Sequence, residues 1–103
     1  MRYWLDYDLG FKGNYDGLYK WLDNLGAKEC GDSCATFKSD QNKDQIKNEL
    51  SDILDSDARI YLINTRPLEN MKRGGRFILG KRTVPPWSGY ADVEFGDDEI
   101  DED

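Results

Sequence analysis

The chain has no histidine among its 103 residues. That absence removes a histidine-based catalytic triad, an imidazole general base and any Cys-His zinc site. Its two cysteines, Cys30 and Cys34, are too few for a disulfide framework. Within one chain they cannot complete a four-ligand zinc site, so they are read as reduced thiols that flank a short turn and can sit opposite one another. No apolar run reaches membrane-spanning length and no hydrophobic leader segment opens the chain, so the expectation is a cytoplasmic protein with no membrane partner. Basic charge is missing from one segment. Residues 92–103 hold eight acids and no base, leaving 13 acids against 14 bases in residues 1–91. The net charge of −7 therefore belongs to the tail. The expected organisation is one domain over 1–91 and a disordered acidic tail over 92–103, because like-charge blocks repel themselves.

The first ten residues are strongly patterned. Tyr3, Leu5, Tyr7 and Leu9 alternate with Arg2, Trp4, Asp6 and Asp8. This period of two predicts a strand with one core face and one more polar face, ended by Gly10. A strand so near the start must find its partners later in the chain, and a central position is expected. Asn14 then reads as the N-cap of a helix over 14–25, where Tyr15, Leu18, Tyr19, Leu22 and Leu25 share helical spacing and Gly26 follows as the C′ residue. A hairpin with arms at 27–30 and 33–38 comes next, turning at Gly31-Asp32. A second helix, capped by Ser39 or Asp40, buries Ile46, Leu50, Ile53 and Leu54 and turns Lys43, Lys47, Asn48 and Asp52 to water. Asp55-Ser56-Asp57 ends it, and Arg59–Ile63 supplies another strand. Strand, helix, strand, strand, helix, strand is the ferredoxin-like βαββαβ order of an α+β domain. It implies an antiparallel sheet with both helices on one face, and Arg76–Gly80 offers a short fifth strand. The other sheet face, carrying Trp4, then calls for a second subunit or a covering segment.

Several of these pieces have counterparts in one group of proteins. They are Tyr7-Asp8-Leu9 ending the first strand, Asp32-Ser33-Cys34-Ala35-Thr36-Phe37, Asp55 to Ile63, and Trp87-Ser88-Gly89-Tyr90. Over residues 2–63 the chain resembles the small subunit of the CRISPR spacer-acquisition complex, the VapD-type toxin ribonucleases and a related branch labelled SinR-family. The resemblance implies a homodimer in which strand five packs on the partner. It also implies that the position of Asp8 faces its symmetry mate and holds a divalent metal such as Mg²⁺ for phosphodiester cleavage, although several members act only as scaffolds. The basic residues expected near the first loop reduce here to Lys12.

Magnesium takes oxygen ligands and one or two carboxylates, so a pair of Asp8 residues across a two-fold axis would suit it. The plainer reading has Asp8 accept from backbone amides between Gly10 and Lys12. Asp6 reads as a surface or interface charge. Between 66 and 82 six bases (Arg66, Lys72, Arg73, Arg76, Lys81 and Arg82) face a single acid, Glu69. With Trp87 and Tyr90 nearby to stack on bases, this segment is the candidate surface for RNA or DNA. Gly74-Gly75 is not a phosphate loop, since the Gly-Lys-Ser/Thr ending and following helix are missing. Three functions remain open: a dimeric, non-catalytic nucleic-acid-binding scaffold, a Mg²⁺-dependent endoribonuclease built on paired Asp8, and a phage–host interaction module whose acidic tail engages a basic protein. The scaffold reading is preferred.

Overall fold

A computed structural model describes residues 1–65 and 73–91. Arg66, Lys72 and the acidic tail lie outside the described residues. The elements follow the order β1 (Arg2–Asp8), α1 (Tyr15–Asn24), β2 (Lys28–Glu29), β3 (Cys34–Lys38), α2 (Lys43–Ile53), β4 (Arg59–Asn64) and β5 (Gly74–Leu79). The strands form one five-stranded sheet in the order β2-β3-β1-β4-β5. Every neighbouring pair is antiparallel. This is an α+β architecture compatible with the ferredoxin-like arrangement, with β5 added at the edge beside β4. No described helix is long and apolar enough to cross a membrane.

β1 lies at the centre because its alternation suits both neighbours at once. Tyr3 and Leu5 are fully buried and meet Phe37 and Ala35 of β3 on one side. Leu62 and Ile60 of β4 flank the other side and are also fully buried. Leu18 and Leu22 of α1 and Ile46 and Leu50 of α2 complete a single core cluster over that face. Each such side chain contributes roughly 1.5–3 kcal/mol on burial. Rings pack together in this core: Phe37 lies tilted against Tyr3 at 5.6 Å and meets Trp21 edge-on at 5.4 Å. The Tyr3 hydroxyl stays satisfied by donating to the Gln41 carbonyl at 2.7 Å.

The helix ends show where local signals hold and where they do not. Asn14 caps α1 by accepting from the Gly17 N–H at 3.0 Å, and Gly26 takes the left-handed conformation at φ 67°. α2 begins later than Ser39 or Asp40 would place it. Its cap is Asn42, whose side chain accepts from the Gln45 N–H at 2.9 Å while Gln45 Oε1 accepts from the Asn42 N–H at 2.8 Å. This reciprocal capping box satisfies two orphan amides together, which neither Ser39 nor Asp40 is spaced to do. Farther along α2, Glu49 accepts from Gln41 Nε2 and Trp21 Nε1, each at 2.9 Å. These bonds hold its carboxyl below the usual range, Gln41 being the larger cause and Trp21 the next.

Lys43 also departs from the sequence expectation. Its ammonium does not face water; the residue is only 3% exposed. It donates to Asn64 Oδ1 and, at 3.2 Å, to the Gly74 carbonyl. A cation in the first turn of a helix opposes the helix dipole. The bonds to Asn64 and Gly74 offset that, and they tie the start of α2 to the paired ends of β4 and β5. Lys43→Met keeps most of the apolar stem and removes the donor. It should lower stability by about 1–3 kcal/mol, seen as a lower urea midpoint at unchanged slope.

Candidate functional site: the open sheet face and its cleft

The face of the sheet away from the core is laid out in rows fixed by the strand register. One row runs Thr36, Trp4, Ile63, Gly75. The next runs Cys34, Asp6, Tyr61, Phe77, and beyond it Asp8 stands opposite Arg59. Apolar, mixed and charged rows therefore follow one another along β1. Trp4, Tyr61, Ile63 and Phe77 are only partly buried.

Two glycines shape this surface. A Cβ on Gly75 would lie 2.5 Å from the Tyr61 ring and 2.8 Å from the Ile63 side chain. Its absence lets both side chains lie over the edge strand. Gly80, at φ +75°, turns the chain after β5, and a Cβ there would meet Arg59 Cγ at 2.8 Å. The Lys81 carbonyl then accepts from Arg59 Nε at 3.1 Å. Residues 81–87 continue as an irregular strap with turns at 86–89. Strap and sheet enclose a cleft of about 650 Å³ whose lining includes Asp6, Asp8, Arg59, Tyr61, Phe77, Arg82 and Trp87.

Guanidinium groups and rings dominate its wall. Arg59 Cζ lies 5.3 Å from the Phe77 centroid, and Arg82 Cζ lies 5.5 Å from Phe77 and 5.8 Å from Tyr61. Tyr61 and Phe77 themselves meet edge-on at 4.9 Å. Such cation–π contacts contribute about 0.5–1 kcal/mol each at exposed sites. Trp87 contributes a ring that is 71% exposed. Tyr7 and Tyr15 also line the cleft, and Tyr7 packs edge-on against Tyr15 at 6.4 Å and Tyr19 at 6.1 Å. Burial, with Tyr19 next in weight, pushes the Tyr7 phenol up to about 12.

Asp8 sits at the charged end of the cleft. Its Oδ1 accepts from the Gly10 N–H at 3.1 Å, and its Oδ2 lies 3.8 Å from Arg59 Nη1. The loop-capping role expected for it is thus present. The side chain is 65% exposed, so the pair with Arg59 is a surface ion pair of modest strength. Among the described residues no three acidic or cysteine side chains converge. Asp6 stands exposed on the same face, but neighbouring groups withdraw enough solvent to push its carboxyl above the usual range. The Tyr7 amide and Arg59 oppose that rise and Asp8 adds to it.

The bases expected to act together are divided. Arg82 and Trp87 reach the cleft, while Arg73 and Lys81 are exposed near it in sequence. Arg76 points the other way, because Leu62 is its partner across the ladder and that position faces the helices. There Arg76 Nη2 bonds Asp44 of α2 at 2.6 Å. Arg59, Tyr61 and Phe77 take part where no sequence motif marked them. Their signal was available in the alternation of β4 and β5, once those strands are paired with β1. Compared with family models, curated proteins and solved structures, the chain finds no match in any of the three.

Asp6→Asn tests the electrostatics. A carboxyl whose folded pKa is raised binds its proton more tightly when folded, so stability falls as pH rises from the unfolded value of 3.8 through the folded value. The amide should therefore raise Tm at pH 7, by no more than about 3 °C given solvent screening, and the gain should vanish below pH 3.8. A Tm unchanged or lowered at pH 7 contradicts it.

Proposed function

We propose that the chain is a non-catalytic scaffold that binds single-stranded RNA or DNA on the open face of its sheet, and that it does so as a homodimer. The observation that carries this reading is the stacking of Arg59 and Arg82 over Tyr61 and Phe77 beside the exposed ring of Trp87. Single strands expose base faces that stack on aromatic rings and guanidinium planes, and their phosphates seek arginine. Sheet aromatics used in this way are a recurrent RNA-binding device. The site departs from the segment 66–82 in drawing on β4 and the strap. Asp6 repels a phosphate backbone and directs it towards the arginine side of the cleft, while Asp8 is engaged by Arg59 and the Gly10 amide. The fold is compatible with the ferredoxin-like arrangement of the small CRISPR subunit and VapD-type proteins, and the likeness to that group remains part of this proposal.

A labelled oligonucleotide titrated into the protein should bind with an affinity that falls as salt rises. Phe77→Ala should weaken binding by about 1–3 kcal/mol through lost stacking. Arg82→Ala should weaken it and reduce the salt slope by about 0.7 if one phosphate contact is lost. Absence of binding at low salt would overturn the reading and favour a module whose acidic residues 92–103 engage a basic protein.

The homodimer is argued from the row of Trp4 and Ile63, a partly exposed apolar strip outside the cleft. Light scattering should give about twice 11.9 kDa. In the scaffold reading, Mg²⁺ brings about no cleavage of bound RNA, and Asp8→Asn leaves affinity within about twofold, as expected for an exposed loop-capping carboxylate. Cleavage that needs Mg²⁺ and disappears in Asp8→Asn would establish the endoribonuclease in its place.

A further inference from the structure

Cys30 and Cys34 are not needed by the binding site, and their geometry is distinctive. The β2–β3 ladder pairs Lys28 with Thr36 and Glu29 with Ala35. One step further the Cys30 N–H donates to the Cys34 carbonyl at 2.8 Å, which sets the two cysteines opposite one another. Residues opposite across a ladder project from the same face. Both are free thiols, Cys30 exposed and Cys34 half-buried. Burial pushes the Cys34 thiol up, and the neighbouring Cys30 and then Asp6 add to the shift by charge. Only one of the two possible ladder bonds is made, since the Cys34 N–H donates to the Gly31 carbonyl at 3.4 Å, and residues opposite one another in an antiparallel ladder have Cα atoms about 4.5–5.5 Å apart. Disulfides span roughly 4.4–6.8 Å, so a bond here requires no large backbone movement.

We propose that Cys30 and Cys34 are a reversible dithiol–disulfide pair, oxidised by low-molecular-weight disulfides of the glutathione class. The exposed Cys30 thiolate attacks one sulfur of the oxidant, and the other sulfur departs as a thiolate. The Cys34 thiolate then attacks Cys30 Sγ and displaces the second oxidant thiolate. One intramolecular S–S bond forms and the oxidant's S–S bond breaks. The two protons released by the protein pass to the two departing thiolates. The protein loses two electrons and the oxidant gains them.

The pair sits where its state reaches the cleft. Ser33 lines that cleft, and its carbonyl accepts from the Tyr7 N–H at 2.9 Å. The neighbouring Asp32 carbonyl accepts from the Tyr7 hydroxyl at 3.1 Å. Oxidation joins the two ends of the turn that carries these contacts, and so stiffens one wall.

Mass spectrometry of the full chain tests this directly. The protein is equilibrated in glutathione buffers of graded potential, blocked with iodoacetamide and digested with trypsin. Cleavage after Lys28 and Lys38 leaves both cysteines in one peptide. In oxidising buffer that peptide should be two hydrogens lighter and unalkylated, and in reducing buffer it should carry two alkyl groups. The native chain should form the bond more readily than the chain in concentrated urea, by on the order of tenfold in equilibrium constant. Exchange of the Tyr7 amide should slow on oxidation. Glutathione adducts or two alkylated thiols in the most oxidising buffer would overturn the proposal, as would equal ease of closure in urea. Unchanged Tyr7 exchange would overturn the link to the cleft.

Discussion

The register of β1 between β3 and β4 is the constraint on which the structure depends. Tyr3 and Leu5 must enter the core while Trp4, Asp6 and Asp8 remain on the other face. A slip of one residue would exchange the two sets, placing two carboxylates under the helices and two large apolar side chains outside. The cost of burying unpaired carboxylates makes that alternative strongly unfavourable. The same pairing that builds the core therefore also composes the open face, row by row. The cleft is a consequence of the core.

Arrangement on that face follows from small steric permissions and from charge. Gly75 allows Tyr61 and Ile63 to lie across the edge strand, and Gly80 turns the chain so that the strap meets Arg59. Arg59 is shared among three neighbours: the Phe77 ring, the Lys81 carbonyl and the Asp8 carboxylate. It links the charged end of β1 to the strap. These contacts are individually weak, since surface ion pairs and exposed cation–π contacts each contribute about 1 kcal/mol or less.

Strands and helices were legible in the sequence wherever one face is apolar and the other polar. β1 and α1 followed their periodicity, and Asn14 and Gly26 marked the ends of α1. Lys43 was not legible. Its position on the helical wheel indicates water, and only the meeting of α2 with the ends of β4 and β5 supplies the oxygens that hold it. Arg76 presents the same difficulty, since a run of bases in sequence does not reveal that alternation along β5 sends one of them to Asp44. Asn42 was overlooked for a different reason: three polar candidates stand close together, and the Gln45 that selects among them had to be read with its partner. The site could be found only after assembly, because Asp6, Tyr61, Phe77 and Arg82 come from separate segments that the sheet and strap bring together.

The central claim is that the face of the sheet away from the helices is a binding surface for single-stranded nucleic acid. Titration of isotope-labelled protein with a short oligonucleotide, followed by amide and indole resonances, addresses it most directly. The account predicts shifts concentrated at Asp6, Arg59, Tyr61, Phe77, Arg82 and the Trp87 indole, with the exposed side of α1 and α2 unmoved. Shifts confined to the helices, or none at low salt, would contradict it.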